Sequence, residues 1–457
     1  MLIFETEKWN FMELNLNFFL LIVGFSFIAL ASKQIGQYFA MVRLPLISGF
    51  LFTGMIAGPH VLGFIPKEAT KTLLFIDQLS LSVIAFAAGG ELIVKELKSS
   101  FRSIKWVTTG LVVTTFILGS LSVVILADHI PFMRSMPPEG RIAVAILAGT
   151  ILVARSPSSA IAVVNELRAR GPFTQTVLGV TMIMDVVVIV LFAINSSITD
   201  AFLTGLGVSL KSTALVCAEL LISLAVAGVL WQALHFILSR RASSIIKTGM
   251  VLLAGYGVFV FSAEIRRQSH DYMSLEVFLE PLLICMVGGF LVANFGGFRD
   301  EFKKILHDIG PPVYVMFFTL TGASLALDML AGVWPIALAL FLVRLLGISI
   351  GSFCGGVLAK DPMRRNRIGW MAYVTQAGIG LGLAKQVAME FPEWGTDFAT
   401  MIISVIVINQ ITGPILFKWA IHLAGEAHTY AQIHFTRLAS ENRLHENPSS
   451  SGRICKR

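Results

Sequence analysis

The chain alternates between apolar segments of about 20 residues and short polar connections. A helix of about 20 apolar residues spans the hydrocarbon core of a bilayer and satisfies its backbone polar groups internally. The pattern therefore predicts an all-α, multi-pass membrane protein with about thirteen transmembrane helices. Their predicted positions are 16–34, 44–64, 73–95, 104–127, 142–166, 173–197, 205–238, 246–265, 276–296, 309–330, 333–358, 366–390 and 397–423.

Composition favours lipid rather than water as the solvent around these helices. Hydrophobic residues make up 55% of the chain and charged residues only 14%, which is too little charge for the surface of a soluble protein of 457 residues. The net charge of +7 lies mainly in short connections, where membrane orientation explains it better than nucleic-acid binding. We therefore expect a protein embedded in the lipid bilayer that binds no nucleic acid.

The basic residues of the connections predict the orientation of the chain. Eighteen Lys and Arg residues fall on one side of the predicted helices and eight on the other. Because short cytoplasmic connections are richer in Lys and Arg, we expect the richer side to be cytoplasmic. The prediction is a protein of the cell membrane or an inner membrane, with its N-terminus outside and its C-terminus in the cytoplasm.

Two predicted helices are interrupted near their middle. The fifth contains "VARSPSSA" at 153–160, where Pro157 removes a backbone donor. The twelfth contains "TQAGIGLG" at 375–382, which combines polar and helix-weakening residues: Thr375, Gln376, Gly378 and Gly380. If the long segment at 205–238 is a connector, each interruption lies in the fifth helix of a set of six. Paired interruptions at corresponding positions indicate an inverted-repeat transporter.

This pattern predicts the division of the chain. We expect a first six-helix repeat at 1–200, a linker helix at 201–242, a second and inverted six-helix repeat at 243–423, and a short cytoplasmic tail at 424–457. Six helices plus one connector place the second set upside down relative to the first.

A carboxylate, Asp185, lies near the centre of the sixth predicted helix, in "GVTMIMDVVVIVLFA" at 179–193. Asp at the bilayer centre costs about 2.5–3.5 kcal/mol, so it indicates a functional site. A structural ion pair with Arg155 or with Arg344 of the eleventh helix is the alternative. A carboxylate that binds either a proton or a metal ion makes the two compete for one site, which is the simplest chemical basis of cation/proton exchange.

The first interruption also supplies oxygen ligands near this carboxylate. The hydroxyls of Ser156, Ser158 and Ser159, together with freed carbonyls, are hard ligands that suit Na⁺ or K⁺. Thr181 lies one helical turn before Asp185 and is predicted to orient its carboxylate. The sequence shows no cluster of soft metal ligands, no nucleophile–base pair and no phosphate-binding loop, so it predicts neither an enzyme nor a cofactor.

Three segments resemble the monovalent cation:proton antiporters of the second branch, the family that contains Kef-type potassium/proton and bacterial sodium/proton antiporters. They are "LPLISGFLFTGMIAGPHVLGFI" (44–65), "SLSVIAFAAGGEL" (80–92) and "PPVYVMFFTLTGASLAL" (311–327). The resemblance covers roughly residues 15–423. It implies two crossing broken helices and a homodimer in which an ion-carrying core moves past a dimer domain. It also implies that Asp185 is the ion-binding aspartate and Arg344 the basic residue of the eleventh helix.

The chain departs from this family at two positions close to Asp185. Met184 stands where many members carry a polar or acidic residue, and Arg155 stands where a small residue is usual. With one carboxylate at the centre of the sixth helix, we predict electroneutral exchange of one proton for one cation, with Glu91 as the nearest second acid. Two alternatives stay open: a symporter of organic anions bound by the two arginines, and a membrane receptor or regulator that does not transport.

Overall fold

The structure, a computed structural model, describes residues 2–204, 210–273, 279–376 and 378–427. Every regular element in these residues is helical. The α-helices are α1 (Leu2–Met41), α2 (Leu46–Ala57), α3 (Lys67–Thr72), α4 (Leu74–Glu91), α5 (Val94–Leu126), α6 (Pro138–Val153), α7 (Pro157–Leu167), α8 (Pro172–Thr204), α9 (Leu210–Ser239), α10 (Ser244–Met273), α11 (Pro281–Phe295), α12 (Arg299–Ala323), α13 (Leu327–Ala359), α14 (Met363–Ile368), α15 (Ile379–Glu390) and α16 (Gly395–Ala424). Short 3₁₀ turns lie at Ala127–His129, Pro131–Met133 and Gly369–Tyr373.

The helices follow the predicted apolar segments. Nine spans within the described residues are long and apolar enough to cross a membrane, where α6 and α7 together count as one. Helices α2 and α11 are apolar but short, with 12 and 15 residues. The multi-pass helical fold is therefore confirmed, and the number thirteen is consistent with it but stays a prediction. Parts of the seventh and ninth predicted segments (205–209 and 276–278) and the tail from residue 428 lie outside the described residues.

One group of helices forms a bundle that we call the core bundle: α5, α6, α7, α8, α13, α14, α15 and α16. Its most extensive contact is between α5 and α13. The two backbones approach closely at Gly110 and Gly351, where a Cβ on either residue would collide with the carbonyl oxygen of the other. Small residues at such a contact allow the close packing that holds helices together in lipid.

A second group, the flanking bundle, contains α1, α2, α4, α10, α11 and α12. Helix α9 packs on α11 and also on α8, so it connects the two bundles. The bundles meet along a narrower boundary, where α7 lies against α4 and α2 and where α16 lies against α2. The molecule is therefore built from two internally packed units with a limited boundary between them.

Both predicted interruptions are present, and they cross. Helix α6 ends at Val153, and α7 begins at Pro157 with Ser156 as its N-cap. On the other chain segment, Gly378 has a φ of +51° immediately before α15, a conformation that glycine adopts without the strain of a side chain. The backbone N–H of Ser156 donates to the carbonyl of Thr375 at 3.2 Å, which joins the two breaks directly.

Candidate functional site

A single arginine of α13, Arg344, holds the two broken helices together. Its side chain is buried and donates to the carbonyls of Leu152 and Ala154, at the end of α6, at 2.9 Å each. It also donates to the carbonyl of Val374, before the second break, at 2.8 Å. Carbonyls at the end of a helix lack partners within the helix and carry partial negative charge. Arg344 thus binds the negative ends of both half-helices, and these contacts do not support the alternative of a structural ion pair with Asp185.

Two amide side chains extend this network across the crossing. Asn409 of α16 accepts from Arg344 at 2.8 Å and donates to Gln376 Oε1 at 3.1 Å. Gln376 in turn donates to the carbonyl of Ile151 at 2.8 Å. The sequence pattern predicts Gln376 at the break but does not predict Asn409. The available signal was the polar pair "NQ" at 409–410 inside an otherwise apolar segment.

The second buried arginine, Arg155, lies within the first break. Its guanidinium donates to the carbonyls of Leu152 and Ala154 at 3.1 and 3.0 Å and to Thr115 Oγ1 of α5 at 3.3 Å. Its Nε has no hydrogen-bond partner among the described residues. Arg155 therefore stabilises the end of α6, and it is not an ion-pair partner of Asp185 either.

The predicted serine ligands gather at the start of α7. Ser156 Oγ accepts from the backbone N–H of Ser159 at 3.3 Å and lies 3.1 Å from the hydroxyls of both Ser158 and Ser159. Ser156 and Ser158 line the same cavity as Asp185, whereas Ser159 is buried behind them. The structure thus brings two of the three serines to the cavity surface at the positive N-terminal end of a helix.

The carboxylate of Asp185 is almost completely buried in the middle of α8, with 8% of the residue exposed. Its Oδ1 has no hydrogen-bond partner among the described residues. The hydroxyl of Thr181 donates to the carbonyls of Val177 and Leu178 at 2.9 and 3.0 Å, so it does not orient the carboxylate as predicted. Thr181 satisfies its hydroxyl within its own helix, a common arrangement for Thr in a helix.

Asp185 is reached through a cavity of about 770 Å³, which we call the outer cavity. The cavity runs from the exposed side chains of Lys67 and Asp328 to the crossing. At the crossing it is lined by Asp185, Arg155, Ser156, Ser158, Glu280 and Gln410. Gln410 is 1% exposed, and its Oε1 has no partner among the described residues. Neither Gln410 nor Glu280 is predicted as a site residue from the sequence.

A second cavity of about 1480 Å³, the inner cavity, lies at the opposite end of the helices. Its lining includes Lys33, Glu91, Glu166 and Lys303, and it does not include Asp185. Glu91 pairs with Lys303 at 3.0 Å in this cavity. The prediction that Glu91 is the nearest second acid is therefore wrong, because Glu280 shares the outer cavity with Asp185.

A buried ion pair closes the boundary between the bundles near the inner cavity. Lys418 of α16 lies 2.8 Å from Glu166 of α7, and both side chains are less than 10% exposed. Glu166 accepts from the backbone N–H of Leu46 at 2.8 Å, and Lys418 donates to the carbonyl of Leu44 at 2.9 Å. Two residues of the core bundle thus bind the start of α2 in the flanking bundle.

Comparison with known proteins identifies similar sequences over most of the chain. The family model described as sodium/hydrogen exchanger, transmembrane, matches residues 23–421. The Na⁺/H⁺-K⁺ antiporter GerN of Bacillus cereus is 22% identical over 400 residues, which are 86% of this chain and 94% of that protein. The K⁺/H⁺ antiporter subunit KhtU of Bacillus subtilis (strain 168) is 25% identical over 232 residues, which are 49% of this chain and 55% of that protein.

The fold is also similar to solved structures. Two structures of the sodium proton antiporter MjNhaP1 from Methanocaldococcus jannaschii superpose on this chain with TM-scores of 0.63 and 0.69. The identities are 16% and 17%, and the matches cover 90% and 89% of this chain and 99% and 98% of the solved chains. At this identity the likeness confirms the antiporter-like fold with its crossing broken helices.

Proposed function

The chain belongs to the sodium/hydrogen exchanger transmembrane family, and from this premise we propose that it exchanges Na⁺ or K⁺ for H⁺ across a membrane by alternating access. The relatives GerN and KhtU, which carry antiporter names, support this reaction class. The family consists of transporters, which agrees with the expectation that the protein is not an enzyme.

One observation carries the proposal: a buried carboxylate with an unpartnered oxygen lines a cavity beside two crossing broken helices. Asp185 meets this description, and neither nearby arginine neutralises it. A carboxylate at membrane depth needs a proton or a cation to balance its charge. We infer that Asp185 binds the two alternately, so that each displaces the other.

The oxygen atoms around Asp185 support a site for a monovalent cation. The hydroxyls of Ser156 and Ser158 and the amide oxygen of Gln410 line the same cavity. Hydroxyl and amide oxygens are hard ligands, which suit Na⁺ and K⁺ better than soft metals. In this proposal three buried side chains stabilise the crossing of the broken helices: Arg344, Arg155 and Gln376. The breaks themselves are formed by Pro157, Thr375, Gly378 and Gly380. Ser159 and Thr181 are buried next to the site and would not contact the cation directly.

Alternating access is supported by the division into two bundles. The core bundle carries Asp185, and the outer cavity reaches it between the bundles. On the inner side, the pair of Glu166 and Lys418 ties the core bundle to α2. We propose that the core bundle slides past the flanking bundle, which breaks this inner contact and closes the outer cavity.

Three finer features of the protein remain proposals. The excess of Lys and Arg on one side supports an N-terminus outside and a C-terminus in the cytoplasm. The positions of the two breaks support repeats at 1–200 and 243–423 with a linker at 201–242. The family resemblance supports a homodimer.

The alternative of organic-anion symport is less well supported by the site. A bound carboxylate needs free guanidinium donors. Arg344 already donates four hydrogen bonds to protein acceptors and does not line the outer cavity. Arg155 donates three, which leaves its Nε as the donor that an anion in this cavity would meet. A non-transporting receptor would not need a cavity that leads to a buried carboxylate.

The proposal is tested with purified protein in proteoliposomes, where proton flux is measured with Na⁺, K⁺ and Li⁺ offered separately. We expect exchange with Na⁺ or K⁺ in the wild type and none in Asp185→Asn, because a neutral amide cannot alternate between proton and cation. The matched control Glu91→Gln, which removes a paired carboxylate of the inner cavity, should retain exchange.

Competition gives a second measurement on the wild type. Raising the proton concentration should raise the KM for the cation and leave the extrapolated maximal rate unchanged. Cation-driven proton flux in folded Asp185→Asn would contradict the assignment of Asp185, and anion uptake without proton movement would favour the symporter.

A further inference from the structure

The outer cavity contains a second carboxylate, Glu280, which belongs to the flanking bundle. Glu280 immediately precedes α11, and Asp185 lies in α8 of the core bundle. Both residues line the same cavity, which leads to the crossing of the broken helices. Two acidic residues therefore face one cavity from two different units of the protein.

A structural role does not account for this carboxylate. An acidic residue at the start of a helix usually accepts hydrogen bonds from the first backbone N–H groups. Glu280 occupies the N-cap position of α11, yet its side chain forms no capping hydrogen bond. Its backbone N–H donates to Ser223 Oγ at 3.3 Å, which fixes the residue in place through α9 rather than through its carboxylate.

Several other charges of the cavity have partners, and the exposed Lys71 of α3 also lines it. Lys67 pairs with Asp328 at 3.2 Å, and Lys385 interacts electrostatically with Asp77. Arg155 donates to the carbonyls at the end of α6. In the part of the chain that the structure describes, no basic residue forms an ion pair with Glu280. The buried acid Glu219 of α9 interacts electrostatically with Glu280.

Asp185 and Glu280 together attract cations that enter through the outer cavity. Like charges in a cavity with apolar walls concentrate counter-ions, and opposite charges interact strongly where water is scarce. The unpartnered oxygens of Asp185 and Gln410 at the end of the same cavity supply ligands for the cation that is attracted. Because Glu280 does not belong to the bundle that carries Asp185, sliding of that bundle separates the two acids.

We propose that Glu280 is a second cation-attracting carboxylate that acts on the carrier site only while the site is open to the outer cavity. The inference rests on the proposed exchange of a monovalent cation for a proton. Glu280 would raise the affinity for the cation only on the side of the outer cavity. It belongs to the flanking bundle, whereas the ion binds to Asp185 in the core bundle.

The test compares membrane vesicles of both orientations, which present the cation to one face or the other. Cation-dependent proton flux is measured with Na⁺ and with K⁺ for the wild type, Glu280→Gln and Glu280→Asp. Removing one charge near the site should raise the KM for the cation on the order of tenfold from the face of the outer cavity. From the opposite face the KM should change less than about twofold. Under the predicted topology, the affected face is the external one.

Glu280→Asp keeps the charge and should restore most of the affinity. Glu91→Gln is the matched control, because it removes a flanking-bundle carboxylate from the inner cavity and should not raise the KM from the outer face. The unchanged KM from the opposite face also shows that the variant is folded.

The outcomes separate this inference from the function on which it rests. An equal change of KM from both faces, or no change from either, would overturn the role of Glu280 while wild-type exchange continues. A wild type without cation-driven proton flux in both kinds of vesicle would overturn the proposed function and the role of Glu280 with it.

Discussion

The replacement Arg344→Met tests whether this arginine holds the crossing together. It removes four buried hydrogen bonds and keeps a long apolar side chain. The carbonyl of Val374 and Oδ1 of Asn409 lose their arginine donor, which lowers the free energy of unfolding by about 1–3 kcal/mol for each acceptor. The carbonyls of Leu152 and Ala154 still accept from Arg155, so each lost hydrogen bond there lowers it by about 1 kcal/mol. Removing the buried charge of Arg344 offsets about 2.5–3.5 kcal/mol of this loss. The net destabilisation is about 3 kcal/mol, which lowers the melting temperature by about 3 °C at about 1 °C per kcal/mol for a chain of 457 residues.

The assay is the thermal unfolding of detergent-purified protein, followed by proton flux in proteoliposomes. The control is Arg102→Met, since Arg102 is exposed and makes a single 3.5 Å contact with the carbonyl of Leu358. We expect a lower melting temperature and lost exchange for Arg344→Met only. An unchanged melting temperature with lost activity would refute the structural reasoning and would favour direct binding of a transported anion by Arg344.

Three further predictions concern the capping of α8, the charge moved and the topology. Glu426 accepts the N–H groups of Phe173 and Thr174 at 2.9 and 2.7 Å, so Glu426→Ala should destabilise the protein by about 2 kcal/mol in thermal unfolding. A melting temperature equal to that of the wild type would contradict this role. Exchange should be electroneutral, because the centre of α8 carries one carboxylate, Asp185, which either one proton or one cation neutralises. If a clamped potential sets the direction of cation flux at equal ion and pH gradients, one-for-one exchange is wrong. Single cysteines placed at Lys98 and Lys304 of a cysteine-free variant should react with an impermeant thiol reagent from the cytoplasmic face only, and reaction of both from outside would reverse the topology.

The sequence by itself determined the features that depend on single segments. Each apolar segment has to satisfy its backbone inside lipid, so length and composition were enough to predict a multi-pass helical protein. Pro157 and Gly378 weaken a helix wherever it packs, so both breaks could be predicted from the residues alone. Asp185 was visible because a lone carboxylate in an apolar helix is costly in any membrane fold.

Only the tertiary structure decided which polar groups become partners. Arg344 was predicted as a core charge beside Asp185, but the structure pairs it with carbonyls of both breaks and with Asn409. The hydroxyl of Thr181 donates to a carbonyl of its own helix rather than to Asp185. The acid that shares the cavity of Asp185 is Glu280, whereas Glu91 pairs with Lys303 in the other cavity. Insertion into lipid depends on the residues of one segment. Pairing inside the bundle depends on the distances between residues of different helices, such as Arg344 and Ala154, which are 190 positions apart in the sequence and are brought together by packing.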